Sequence, residues 1–111
     1  MMKIQVKSVH FHADSKLVAF IEKKLTRLSR YFDHVPVEAE VHLKLQETGG
    51  PVRDKITEVF LKVPGGPLMD KKIARTFEDA ITASSETLKR QLVRYKEKMT
   101  DRKTSPSRDQ D

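Results

Sequence analysis

The sequence predicts a two-layer α+β domain with the order β-α-β-β-β-α, in which two helices pack on one face of a four-stranded mixed sheet. Three observations lead to this prediction: one segment of strict apolar–polar alternation, two segments with the helical spacing of apolar residues, and short connections rich in glycine and proline between the later strands. A chain of 111 residues has room for one such domain with one modest core.

The chain begins with a strand and continues with an amphipathic helix. Residues 3–11 carry apolar side chains in an imperfect alternation, which predicts a strand. Asp14 or Ser15 can cap the helix that follows, because either side chain can accept hydrogen bonds from the free amides of the first turn. Apolar residues then recur at helical steps and predict one buried face: Leu17, Ile21, Leu25, Leu28 and Phe32.

Three strands follow the first helix. Residues 37–46 alternate strictly between apolar and polar side chains, which predicts a half-buried strand. Residues 47–54 contain two glycines and a proline and read as a loop, after which residues 55–63 return as the next strand. The Pro64-Gly65-Gly66-Pro67 segment predicts a tight reversal before a fourth strand at 68–75, whose alternation is poor. The strand–helix–strand connection favours a parallel first pair, and the short later loops favour antiparallel neighbours.

A long second helix ends the predicted domain. Thr76, with Asp79 three residues later, resembles a capping box. The apolar stripe of this helix contains Phe77, Ile81, Ser84, Leu88, Leu92, Tyr95 and Met99. The domain is therefore expected to span residues 1–99. Residues 100–111 contain no apolar residue beyond Pro106, so we expect a disordered polar tail.

Composition excludes several classes of protein. The absence of cysteine excludes disulfides, thiolate metal sites and cysteine nucleophiles. No membrane-spanning apolar run and no secretory signal are visible, so we expect a cytoplasmic protein without a membrane partner. His10 and His12 lack further ligands for a metal, and no nucleophile, carboxylate pair or phosphate loop indicates catalysis. We expect no enzyme activity, no cofactor, no metal and no small-molecule substrate.

The net charge of +6 is concentrated in two segments. Residues 16–30 hold five cations against Glu22 alone, and residues 89–98 hold five cations against Glu97 alone. Charged residues often do no more than solvate the outer faces of helices, but such faces usually mix the two signs, so that neighbours attract each other. The imbalance therefore favours binding of nucleic acid or another polyanion.

Helical geometry groups these cations on exposed surfaces. At about 100° per residue, one outward strip on the first helix contains Lys16, Lys23, Arg27 and Arg30. On the second helix, Arg90, Arg94 and Lys98 occupy one exposed flank, and Lys89 and Lys96 the other. Two helices side by side on one sheet are expected to present these residues as a broad basic patch. Tyr31, Phe32 and Tyr95 could stack on bases, but Phe32 and Tyr95 fall on the buried stripes.

Several motifs resemble one known family. The segment Leu88-Lys89-Arg90-Gln91-Leu92-Val93-Arg94-Tyr95-Lys96 is similar to the second-helix motif of the ribosome hibernation promoting factors, which include the sigma-factor modulation proteins. Glu22-Lys23-Lys24-Leu25, together with Phe77-Glu78-Asp79-Ala80-Ile81 after the glycine pair, also fits the family's spacing. The resemblance spans about residues 2 to 99. It implies a protein that binds the small ribosomal subunit in the groove for messenger RNA and tRNA anticodons, and so silences and preserves idle ribosomes.

The resemblance and the helical geometry together nominate nine rRNA-binding residues. The resemblance implies roles for Arg90, Arg94 and Lys96 on the second helix and for Lys23, Lys24 and Arg30 on the first. The patch geometry adds Arg27, Lys89 and Lys98. The chain looks like the short form of the family, without a C-terminal dimerisation domain. A general binder of structured RNA with no connection to the ribosome is the alternative, since the same basic surface would serve. A nuclease is disfavoured because no catalytic constellation is visible.

Overall fold

The computed structural model describes residues 2–32, 37–46 and 54–104. Its elements, in chain order, are β1 (Met2–Ser8), α1 (Ser15–Thr26), a 3₁₀ turn (Arg27–Tyr31), β2 (Val37–Leu45), β3 (Lys55–Lys62), β4 (Leu68–Ala74) and α2 (Phe77–Thr104). The four strands form one sheet in the order β1-β2-β3-β4, with β1 parallel to β2 and the other two pairs antiparallel. Both helices pack on the same face of this sheet. The predicted fold class, element order and strand pairing are confirmed.

The core lies between the two helices and the covered face of the sheet. On β2, alternation places Val41 and Leu43 against the helices with no exposed surface, while His42 between them points to the opposite face. The same pattern on β3 buries Val59 and Leu61. Residues spaced by three or four along each helix complete the core: Leu17, Ile21, Leu25, Leu28, Phe32, Phe77, Ile81, Leu88 and Leu92. Burial of this stripe supplies most of each helix's stability, since isolated helices are marginal in water.

β1 is shorter than predicted. It ends at Ser8 rather than near Phe11, because His10 adopts a positive φ of 65° that breaks the extended backbone. The Ser8 Oγ donates a hydrogen bond to the Phe11 carbonyl at 2.7 Å, which closes this turn. The Phe11 ring then stacks on Phe77 at a centroid distance of 5.3 Å. Phe11, at the end of the predicted strand, therefore packs on the start of α2 rather than pairing in the sheet.

Both helices begin at the predicted caps. The Leu17 amide donates to the Asp14 carboxylate at 2.8 Å, so Asp14 and not Ser15 is the N-cap of α1. The Asp79 amide donates to the Thr76 hydroxyl at 3.0 Å, as the capping box predicts. α1 does not continue unchanged to Phe32, since its last turn tightens into the 3₁₀ turn that still buries Leu28.

α2 runs beyond its predicted end. The helix continues to Thr104, whereas the prediction ended it with the domain near Met99. No glycine or proline interrupts residues 99–104, so helical propensity carries the backbone onward. The first residues of the predicted disordered tail are therefore helical, and residues 105–111 lie outside the described residues. Residues 33–36, between the first helix and β2, and residues 47–53 of the predicted loop also lie outside them.

A small polar cluster sits under α2. Asp70 of β4 points toward the helix and accepts a hydrogen bond from the fully buried Ser84 hydroxyl at 2.8 Å. The Lys72 ammonium lies 2.8 Å from the other carboxylate oxygen of Asp70. Thr57, opposite Lys72 in the sheet register, is fully buried, and its hydroxyl has no hydrogen-bond partner among the described residues. β4 thus carries the Asp70 carboxylate at an inward position, where an alternating strand usually has an apolar side chain. This explains the poor alternation of the β4 sequence.

Candidate nucleic-acid interface

The exposed side of α1 carries the predicted basic strip. Capping by Asp14 and burial of Ile21 and Leu25 fix the rotation of the helix about its axis. The cations of the strip consequently face solvent: Lys16, Lys23, Arg27 and Arg30. Lys24 differs from them because it is half-buried, with its ammonium 5.6 Å from the centroid of the Phe20 ring. This distance is within cation–π range, so the side chain is already held against the helix.

α2 presents its cations on two flanks. Leu88 and Leu92 are fully buried against the sheet. All five predicted cations are exposed: Lys89, Arg90, Arg94, Lys96 and Lys98. Lys89 lies on the flank next to the 3₁₀ turn, whereas Lys98 lies beside the reversal between β3 and β4. The basic surface therefore wraps around α2 rather than forming one flat patch.

An interhelical cleft joins the cations of the two helices. It has a volume of about 140 Å³ and lies between the end of α1, the 3₁₀ turn and the middle of α2. Its lining residues are Lys24, Arg27, Leu28, Arg30, Tyr31, Ser85, Glu86 and Lys89. Four of the nine predicted cations thus meet at one place, three of them from the first helical segment and one from α2. The other five are exposed elsewhere on α1 and α2.

The cleft also contains residues that the sequence analysis did not assign to the site. Tyr31 is half-buried there, and the Arg30 guanidinium lies 5.6 Å from the centroid of its ring. Glu86 enters the cleft three residues before Lys89, a spacing that places both side chains on one flank of the helix. The three-residue spacing from Lys89 was the signal in the sequence that could have identified Glu86. Using this signal requires knowing which flank of α2 faces α1.

The other two aromatic candidates belong to the core. Phe32 is buried, and Tyr95 is half-buried with its hydroxyl donating to the Pro64 carbonyl at 2.6 Å. This bond ties α2 to the reversal between β3 and β4. Tyr31 also packs against the core, but it lines the interhelical cleft, so it stays the candidate for base stacking.

The open face of the sheet, opposite the helices, has a different charge pattern. Its carboxylates pair with nearby cations: Lys44 lies 3.1 Å from Glu58, and Lys7 and Lys62 lie 3.6 and 3.7 Å from Glu40. The His42 ring also hydrogen-bonds the Glu40 carboxylate. This bond, with the two lysines adding to it, holds the pKa of Glu40 below its ordinary value.

Four of the helix cations form no such pairs. Within the described ranges, Lys23, Arg27, Lys89 and Arg94 take part in no ion pair. Cations that no carboxylate neutralises produce a positive potential over the helices that attracts polyanions. The segregation of charge between the two faces is thus a property of the folded chain and not only of its composition.

The described residues offer neither a metal centre nor a membrane span. No three histidine, aspartate or glutamate side chains among them are grouped so as to hold a metal ion. His10 and His12 are both exposed at the end of β1. None of the described helices has the length and apolar character needed to cross a bilayer.

The fold and the charge distribution define a two-layer α+β domain with an exposed basic surface on its helices. Residues 4–100 match the family described as sigma 54 modulation protein / S30EA ribosomal protein. The chain belongs to this family, which confirms the resemblance found in the sequence.

Named relatives and solved structures agree with this assignment. The chain is 35% identical over 77 residues to a ribosome hibernation promotion factor of Deinococcus radiodurans, a match that covers 69% of this chain and 40% of that protein. It is 27% identical over 97 residues to a ribosome hibernation promoting factor of Pseudomonas putida, covering 87% and 89% of the two chains. The chain therefore spans about two fifths of the Deinococcus protein but most of the Pseudomonas one.

Two solved structures share the fold. The N-terminal domain of Thermus thermophilus Protein Y superposes with a TM-score of 0.72 at 25% identity, covering 85% of this chain and 99% of that domain. A ribosomal subunit interface protein from Coxiella burnetii superposes with a TM-score of 0.67 at 22% identity, covering 86% and 98% of the two chains. The second likeness bears on the fold alone.

Proposed function

We propose that this protein is a cytoplasmic ribosome hibernation factor that binds the small ribosomal subunit. The helix cations contact rRNA phosphates in the groove that otherwise holds messenger RNA and tRNA anticodons. Occupation of that groove blocks translation by steric exclusion and preserves the idle ribosome. The protein carries out no reaction and needs no cofactor or metal for this role.

The observation that carries the proposal is the interhelical cleft, where Lys24, Arg27 and Arg30 meet Lys89. Four cations around one opening form a strong site for phosphate groups. Family membership directs this phosphate-binding surface toward the ribosome rather than toward RNA in general. Beyond the cleft, α2 adds the exposed side chains of Arg90, Arg94, Lys96 and Lys98, and α1 adds that of Lys23.

Charge reversal on α2 tests the surface. In sucrose gradients with purified small subunits, the wild-type protein should co-sediment, and the double variant Arg90→Glu/Arg94→Glu should stay at the top. The matched control is Lys3→Glu/Lys71→Glu, because both lysines are exposed on the open face and the change in net charge is the same. An equal loss of small-subunit binding in both variants would show that binding depends only on net charge. Normal binding by the α2 variant would refute the interface.

The salt dependence of binding measures how many phosphates are involved. If about six phosphates are contacted, raising the salt concentration from about 50 to 200 mM should weaken binding on the order of a thousandfold. The α2 double variant should reduce the slope of log affinity against log salt by about two. A flat response would mean that the helix cations are not the contact surface.

Competition tests the position on the subunit. Messenger RNA with bound initiator tRNA should displace the protein if both occupy the same groove. If the protein stays bound while messenger RNA and initiator tRNA fill the groove, it binds the small subunit at another position. Binding of unrelated structured RNAs as tightly as the small subunit would instead favour the general RNA-binding alternative.

A further inference from the structure

The interhelical cleft differs from the rest of the basic surface in its chemistry. Its cations surround an aromatic ring, Tyr31, and an apolar floor formed by the buried Leu28. Its α2 wall carries one carboxylate, Glu86, and one hydroxyl, Ser85. A site that bound only phosphate would gain nothing from the ring or the apolar floor.

The carboxylate is the most informative of these residues. A phosphate diester has no hydrogen to donate, so Glu86 would repel it. The edge of a nucleobase carries N–H groups that a carboxylate can accept, and its flat face stacks on aromatic rings and on arginine. The Arg30 guanidinium, 5.6 Å from the Tyr31 ring centroid, adds a second planar group at the mouth of the cleft. The lining is thus complementary to a whole nucleotide rather than to its phosphate alone.

We propose that the interhelical cleft binds one unpaired nucleotide of the RNA, with its base against Tyr31 and its edge on Glu86. The flanking phosphates lie among Lys24, Arg27 and Lys89. Guanine fits this arrangement best, because its adjacent N1–H and N2–H₂ groups can donate to both oxygens of one carboxylate. The inference rests on the proposed function in taking RNA as the polyanion, and it adds that the bound segment is single-stranded at this point. The volume of about 140 Å³ suits one base and excludes a base pair.

Short RNA probes test the inference without the ribosome. Fluorescence anisotropy would compare a single-stranded oligouridine that contains one central guanosine, the same strand without guanosine, and a duplex of the first strand. We expect the guanosine-containing strand to bind about tenfold more tightly than the plain strand. Equal affinity for the two single strands, or equal affinity for the duplex, would overturn the inference.

Variants of the cleft assign the preference to its residues. Glu86→Gln removes the carboxylate from an exposed position and should abolish the guanosine preference. Glu78→Gln makes the same change in the first turn of α2, outside the cleft, and should leave the preference intact. Tyr31→Leu should weaken binding of both single strands by about tenfold, with thermal unfolding used to verify that it folds. A guanosine preference retained by Glu86→Gln would overturn the assignment of that residue and with it the proposed orientation of the base.

The gradient experiment with small subunits separates this inference from the proposed function. If wild-type protein binds small subunits but shows no preference among the oligonucleotides, the nucleotide cleft is wrong and the proposed function stands. If the preference is present but small subunits are not bound, the proposed function is wrong and the cleft remains a single-strand RNA site.

Discussion

Replacement of Ser84 by alanine should destabilise the domain more than an ordinary serine-to-alanine change in a helix. The Ser84 hydroxyl is fully buried and donates to the Asp70 carboxylate at 2.8 Å. A hydrogen bond to a charged group contributes about 1.5 to 3 kcal/mol, and alanine returns about 0.5 kcal/mol of helix propensity. We therefore expect Ser84→Ala to lower the free energy of unfolding by about 1 to 2.5 kcal/mol. The corresponding fall in melting temperature is about 5 to 15 °C for a domain of this size.

Ser85→Ala is the matched control, because the Ser85 hydroxyl only donates to the Thr82 carbonyl one turn earlier in the same helix. Urea denaturation followed by circular dichroism should find this control as stable as the wild type, or slightly more stable. A double-mutant cycle with Asp70→Ala isolates the bond itself and should give a coupling energy above about 1 kcal/mol. A coupling energy near zero, or equal losses for the two serine variants, would refute the role assigned to the buried pair.

Two further predictions concern the sheet. Thr57→Val should stabilise the domain by about 1 kcal/mol in the same urea titration, because it replaces a buried hydroxyl that has no partner among the described residues with a methyl group of similar shape. His42→Ala should raise the pKa of Glu40 toward its ordinary value of 4.5, as measured by NMR titration of the side-chain carboxyl. Since the folded-state pKa of Glu40 is lowered, its stabilising contribution is present at neutral pH and is lost as the pH falls below the ordinary carboxyl value. An unchanged Glu40 pKa in the variant would mean that the lysines alone cause the shift.

The elements with one apolar face could be predicted well from the sequence. On β2 the alternation from Val37 to Leu45 coincides with the strand that the structure contains, because one face packs on helices and the other meets solvent. The four residues of the predicted apolar stripe from Leu17 to Leu28 remain buried even though the backbone changes from α to 3₁₀ at Arg27. Burial constrains side-chain periodicity more tightly than it constrains the type of helix.

The choice of inward-facing residues on β4 could not be predicted from the sequence. Asp70 and Lys72 face the helices, whereas Met69 and Ile73 are exposed on the open face, which reverses the usual choice of inward residues. The reversal is possible because Ser84, fourteen residues later in the chain, provides a buried partner for Asp70. Such a pairing depends on the register between α2 and β4, and no local pattern in either segment specifies it. The interhelical cleft could not be predicted for the same reason. Helical geometry placed Lys89 on one flank of the second helix, but it did not show that this flank faces the first helix.

The two faces of the sheet explain why a modest net charge can produce a strong binding surface. If all the lysines were equivalent, those on the open face would attract RNA as well as the helix cations do. Glu40 and Glu58 neutralise much of that face, because β2 and β3 place them among Lys7, Lys44 and Lys62. Within the described ranges, Lys23, Arg27, Lys89 and Arg94 form no ion pair, so much of the excess positive charge lies over the two helices and the 3₁₀ turn. Strand alternation therefore contributes to the interface indirectly, because it holds Glu40 and Glu58 on the open face and away from the helices.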